Sequence, residues 1–254
     1  MKKNKLISLI SNNFKKLDHV KTLVLVGSAN NKKIFKNMDF LVLTNTLVPE
    51  KKTFKELEYF FFKKYKNCYS FKIDNVLINI SLMTINEFDT HFNEALNGRA
   101  HLSYHNWCLG YFIPETFLAD ISESTIIFQK KPNFFDEYVK KVINYPINLD
   151  SLIINNCLID LKEKELLFIK AIKTKDNIAI LTAIIEIFSI SFRALSAKKK
   201  VYYKGLFSNY ETNFNEYPKI KKILIKLKTK KTNFGTMEYL MKDFLLEVKK
   251  ILNK

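Results

Sequence analysis

Apolar residues recur along this chain at two spacings, and the change from one to the other organises it. Near the N-terminus Leu6, Leu9, Ile10, Phe14 and Leu17 fall three or four apart among polar residues, which predicts an amphipathic helix over about 4–17. The pattern then becomes a continuous apolar run, "LVLV", which predicts a buried strand at 22–27. A polar loop follows, and the apolar run resumes after Asp39, predicting a second strand at about 39–44. Beyond Pro49 and Glu50 a helix is expected over 50–66, with Phe54, Leu57, Phe61 and Tyr65 on its buried face. The stretch "YSFKIDNVLINISLM" alternates instead: Val76, Ile78, Ile80 and Leu82 share one face, and Asp74-Asn75 makes a tight turn between two strands. A helix over 85–97 stops at Gly98. "RAHLSYHNWCLGYFI" then reads as a mostly apolar helical segment and "FLADISESTIIFQ" as a short turn-bounded piece.

From Pro132 onward only the helical spacing remains. It predicts helices at 133–143, 150–173, 176–197, 216–228 and 235–252, punctuated by Pro146, Gly205, Pro218 and Gly235. The fold class is therefore α+β: a mixed sheet with helices over 1–130, followed by an all-α bundle over 131–254. No internal repeat or structureless linker interrupts the chain, so the two halves are expected to pack together and to hold the functional site in the cleft between them.

Composition supports two cores and narrows the partners. The chain has 254 residues, 47% of them apolar, which is ample for burial and argues against disorder. Its net charge of +17 suits an anionic partner: nucleotide, nucleic acid or a membrane surface. Only Arg99 and Arg193 are arginines, however, and the abundance of lysine, asparagine and isoleucine resembles a coding bias. Base-specific readers of DNA lean on arginine forks, so a basic nucleic-acid-associated protein is the lesser reading. Cys68, Cys108 and Cys157 are odd in number and widely spaced, as expected of reduced cytoplasmic thiols and not of a disulfide framework or zinc site. "MKKNKLISLI" begins like a signal peptide, but its helical spacing and the absence of a small-residue cleavage site point to a surface helix. The longest apolar run, Ile178 to Phe192, is short for a bilayer span and contains Glu186, so a buried helix is expected and no membrane partner.

Candidate chemistry centres on the first two strands. Gly27 lets backbone approach a phosphate, Ser28 adds a hydroxyl donor, and Asp39 at the head of the next strand is placed to hold a magnesium ion. Gly27-Ser28 followed by "KNMDFLVL" resembles the nucleotidyltransferase fold of the polymerase-beta superfamily, nearest its aminoglycoside and lincosamide branch. That family's motif runs Gly-Ser, then Asp-x-Asp at the head of the second strand, with a third Asp on a later strand. Here Gly27, Ser28 and Asp39 match. Asn37 stands at the first aspartate and Asn79, in "NVLINISLM", at the third. In the helical half Tyr202, Tyr203, Lys204, Leu206 and Pro218 are similar to the family's aromatic, Gly/Lys turn and Pro-led helix.

The resemblance implies transfer of a nucleoside monophosphate from a nucleoside triphosphate, with Mg2+, to a hydroxyl of a small-molecule acceptor. The site residues would be Asp39 as metal ligand, Asn37 and Asn79 at the eroded ligand positions, and Gly27 and Ser28 on the phosphates. Two of three carboxylates have become amides, which keeps shape and removes charge. The expected consequence is weakened or lost activity, so that the chain serves either as a residual enzyme or, with no cofactor, as a nucleotide sensor or protein-interaction module. A carboxylate from elsewhere, Asp74, Glu87 or Asp120, would be needed to restore the site. Three further features are candidates: His101 and His105, four apart, as a metal pair; Arg99 with His105 in a loose ribonuclease-like spacing; and Glu186 as a general base or as half of an ion pair with Arg193 or a lysine from another helix.

Overall fold

The computed structural model describes residues 3–27, 36–46, 62–65, 68–103, 110–204, 216–229 and 234–253. It divides into two compact units, one made of Met1–Leu96 with Ala100–Asn144, the other of Asn97–Arg99 with Tyr145–Lys254.

The first unit is built on a six-stranded sheet. Helix α1 (Lys3–Lys15) leads into β1 (Val20–Val26), then β2 (Asn37–Thr44), β3 (Phe62–Tyr65), β4 (Cys68–Ile73) and β5 (Val76–Thr84). Helix α2 (Ile85–Leu96), the short strands β6 (His101–Ser103) and β7 (Gly110–Phe112), helix α3 (Pro114–Ser122), strand β8 (Thr125–Gln129) and helix α4 (Asp136–Val142) complete it. The strand order is β3-β4-β5-β2-β1-β8, and only the β2–β5 pair is parallel. β1 and β2 lie inside the sheet and are buried along nearly their whole length, which explains why both read as continuous apolar runs.

Period-two alternation sorts the sheet's side chains into two faces. Leu23 and Leu25, Met38, Phe40 and Val42, Phe71 and Ile73, and Ile78, Ile80 and Leu82 form one cluster with Leu6, Ile10 and Phe14 of α1. The residues between them, including Asn37, Asp39 and Asn79, therefore project from the other face. Asp74 and Asn75 both have positive φ, 46° and 64°, as a tight two-residue hairpin turn demands. α2 begins with a reciprocal cap: the Thr84 backbone N–H donates to Glu87 Oε2 at 2.8 Å, and the Glu87 N–H donates to Thr84 Oγ1 at 3.2 Å. Phe88 and Phe92 of α2 pack on Phe117, Phe135 and Tyr138, with Phe88 and Tyr138 edge-on at 4.9 Å.

The second unit is helical. α5 (Leu149–Thr174) and α6 (Asn177–Lys198) form an antiparallel pair across Lys175, at φ 55°, and Asp176, whose carboxylate accepts from the N–H groups of Ile178 and Ala179. α7 (Pro218–Thr229) and α8 (Phe234–Leu252) follow. Phe244 of α8 meets Phe188 of α6 edge-on at 4.9 Å. α6 is, among the described residues, the one helix long and apolar enough to cross a membrane, yet half of that stretch is buried. Ile180, Ala183, Ile187 and Ile190 face the bundle, and every residue from Ser191 to Ala197, Arg193 included, is enclosed.

The helices expected after Pro132 match α4 to α8 within a few residues. Two expectations fail. Residues 62–65 are a strand paired with β4, not the end of a helix over 50–66; aromatic residues beside an open sheet edge favour pairing over helical spacing. The rest of that stretch lies outside the described residues. "RAHLSYHNWCLGYFI" contains the antiparallel pair β6–β7 and no helix at those ends, since an apolar run without clear period does not discriminate the two.

Candidate functional site

The parallel pairing of β2 with β5 brings the site together. In register, Asn37 lies beside Leu77 and Asp39 beside Asn79, while on the other side Asp39 is opposite Val26, the residue before Gly27. Residues 37 and 39 are two apart on one strand, so both project to the same face. The sheet thus juxtaposes three of the expected residues beside the end of β1. Ser28 lies outside the described residues.

Asn79 Nδ2 donates to Asp39 Oδ1 at 2.7 Å and Asn37 Nδ2 to Asp39 Oδ2 at 3.2 Å. Each carboxylate oxygen therefore receives one amide hydrogen. Ser70 Oγ donates to Asn79 Oδ1 at 2.6 Å, which occupies the amide's acceptor. The orientation of Asn79 follows from chemistry: an ionised carboxylate only accepts, so the NH2 group must face Asp39 and the oxygen must face Ser70. Burial pushes the Asp39 carboxyl above the usual carboxylate range, and the Asn79 hydrogen bond pulls it part of the way back.

Gly27 has φ 72°, a left-handed conformation. A Cβ there would stand 3.2 Å from Asp39 Oδ2. The glycine expected to admit a phosphate thus admits the carboxylate of Asp39. Ser70 was not anticipated at all. Its signal was nonetheless present, because a two-residue turn at Asp74-Asn75 sets Ser70 opposite Asn79.

A two-metal site needs more anionic oxygen than is found here. Among the described residues no group of three His, Cys, Asp or Glu could hold a metal ion. Glu87 is locked in the cap of α2, and Asp74 sits at the hairpin turn, five residues or roughly 16 Å along β5 from Asn79. Asp120 falls on α3. Among the described residues Asp39 alone is ionisable in this cluster, and with the Asn79 oxygen taken by Ser70 they do not fit the pair of magnesium ions that the motif would call for.

The remaining candidates resolve into structure. Glu186 pairs with Lys164 of α5 at 3.1 Å, the lysine alternative, and not with Arg193. Arg193 and Arg99 instead both act on Asp160, whose carboxyl is raised by burial and drawn back by the two guanidinium groups. His101 is on β6, so His101 and His105 do not share one helix from 101 onward; His105 itself lies outside the described residues.

No known family profile matches the chain, and no curated protein matches it. A nucleotidyltransferase-like protein from Exiguobacterium sibiricum 255-15 shares its architecture, with a TM-score of 0.53 at 12% identity over 98% of this chain and 74% of that one. A CCA-adding enzyme solved with ATP aligns over 97% of this chain and 82% of that one at 12% identity, but its TM-score of 0.28 is too low to carry an argument. The likeness establishes a nucleotidyltransferase-like α+β fold with a helical C-terminal region.

Proposed function

We propose that the chain descends from enzymes that move a nucleoside monophosphate from a nucleoside triphosphate to a hydroxyl of a small molecule, and that this transfer is weakened or lost. The observation that supports this reading is the hydrogen-bond set around Asp39. Two positions at which the motif calls for carboxylates carry amides, and both amides donate a hydrogen bond to Asp39. Transfer in such a fold depends on charge: metal-bound carboxylates align the triphosphate and offset the charge that develops on pyrophosphate. Losing two anionic ligands costs several kcal/mol of transition-state stabilisation, roughly a thousandfold or more in rate. What remains suits nucleotide recognition without turnover.

Titration calorimetry with ATP and with GTP, each with and without magnesium, tests this. The expected result is that magnesium changes nucleotide affinity by no more than about twofold, and that any release of pyrophosphate is at least about a thousandfold slower than the roughly 10 per second typical of enzymes. A tenfold or larger gain with magnesium, or transfer to any hydroxyl acceptor faster than that limit, overturns it.

A further inference from the structure

Lysine is spread widely along this chain, but the excess over acid is not. Between Lys198 and Lys231 the sequence has eleven lysines and two acids, Glu211 and Glu216, so thirty-four residues carry more than half of the net charge of +17. A coding bias would raise lysine everywhere and would not remove acids from one segment. Within it, α7 reads PKIKKILIKLKT and has no acidic residue. Its apolar side, Ile220, Ile223 and Leu224, is buried, and Lys219, Lys222 and Lys226 recur at i, i+3 and i+7 along an exposed stripe beside it. The Cα atoms of that stripe rise about 5 Å from one lysine to the next.

Lys219 reaches Glu247 at 3.3 Å while remaining 70% exposed. Lys222 and Lys226 are exposed and, among the described residues, face no carboxylate. The arrangement works against the helix itself: lysines crowd its positive N-terminal end, and Lys222 and Lys226 repel one another one turn apart. A sequence that keeps such a stripe against local stability has a use for it.

We propose that the lysine face of α7 binds the phosphodiester backbone of a polynucleotide without reading its bases. A bilayer is the poorer fit, because the helix's apolar side is packed inside and only Ile225 is exposed between the lysines. An acidic protein partner is also the poorer fit, since the centres of protein interfaces are depleted in lysine and are anchored by aromatic or arginine side chains that this stripe lacks. Ammonium groups with no guanidinium fork give affinity and salt dependence but no base selection.

The test is fluorescence anisotropy of the full-length chain with a labelled single-stranded RNA of mixed sequence, across a salt series, with parallel arms using duplex RNA and the matching DNA. Wild type is expected to bind with affinity that falls linearly on a double-logarithmic salt plot and is indifferent to base sequence. The double variant Lys222→Gln with Lys226→Gln should reduce the single-strand slope by about 1.4 and the affinity in 0.1 M salt by about twenty-five-fold. A control with the same charge change, Lys5→Gln with Lys16→Gln on exposed positions near α1, should leave the slope within about 0.3 of wild type. Glutamine retains helix propensity, and circular dichroism checks that each variant is folded. No binding by wild type in 50 mM salt, or equal slopes for the two double variants, overturns the proposal. Neither outcome bears on magnesium and nucleotide at Asp39, so the two readings stand or fall separately.

Discussion

Placing carboxylates at positions 37 and 79 is the sharpest perturbation of the site. In the double variant Asn37→Asp with Asn79→Asp, carboxylate oxygens would stand where amide nitrogens now lie 3.2 and 2.7 Å from Asp39. Each change removes a hydrogen bond to a charged acceptor, worth about 1.5 kcal/mol at the low end of the usual range. It also introduces repulsion between carboxylates that are largely shielded from water, at least about 1 kcal/mol per pair. The sum is at least about 5 kcal/mol without metal, enough to lower the melting temperature by roughly 10 °C or more at neutral pH.

The pH dependence has a definite sign. Crowded like charges raise the carboxyl pKa values in the folded state, adding to the upward push that burial already gives Asp39. A group raised in this way contributes stability that is fully present below its unfolded value and is lost as pH rises through the folded one. The deficit should therefore shrink as pH falls toward the ordinary carboxylate range and widen toward neutrality. Magnesium with nucleotide should act in the same direction as acid, since a bound cation relieves the repulsion and selects the folded state. Scanning fluorimetry of wild type and variant from about pH 4 to 8, with and without magnesium, reads all of this, because stabilisation by ligand follows from its affinity for the folded state. With ATP in every sample, the expected effect of adding magnesium is recovery of most of the lost melting temperature in the variant and a shift under about 2 °C in wild type. A folded variant that gains nothing from magnesium would falsify the view of these positions as former metal ligands.

Two smaller perturbations check the surroundings. Gly27→Ala places a Cβ 3.2 Å from Asp39 Oδ2 on a backbone at φ 72°; a melting point lower by roughly 3–8 °C is expected, and an unchanged one would mean that residue 27 has no need of the left-handed conformation. Glu186→Gln should move melting by no more than about 3 °C, because its pair with Lys164 is partly exposed, and should leave nucleotide binding intact; loss of that binding would return Glu186 to the site.

Local pattern was enough for α1, β1, β2, the β4–β5 hairpin, α2 and the helices after Pro132, because each presents a buried face at its own period or closes at a recognisable turn. The same hairpin turn held more than was read from it, since Asp74-Asn75 places Ser70 across from Asn79. The parallel meeting of β2 and β5 was of another kind. No local spacing specifies that Asp39 and Asn79, forty residues apart, share a register; only the family resemblance suggested it. Strands β3 and β8 escaped notice for a related reason. They flank the sheet at its two edges, where half-buried residues such as Thr125 to Gln129 carry little apolar alternation and pairing is decided by the neighbouring strand.

One carboxylate between two amides has an explanation that needs no metal. Asn37 and Asn79 each direct an N–H at Asp39, and the Asn79 oxygen is already engaged by Ser70. The position between them must therefore accept from both sides at once. An aspartate does so with two oxygens, whereas an asparagine would turn one NH2 group against another donor and leave it without a partner. Amides at 37 and 79 spare Asp39 the repulsion that carboxylates there would exert in the metal-free protein, and they make Asp39 structurally necessary. Asp39 on its own is consequently no mark of a working site: the discriminating quantity is the response to magnesium, which a network satisfied by its own amides does not require and a triad of carboxylates does.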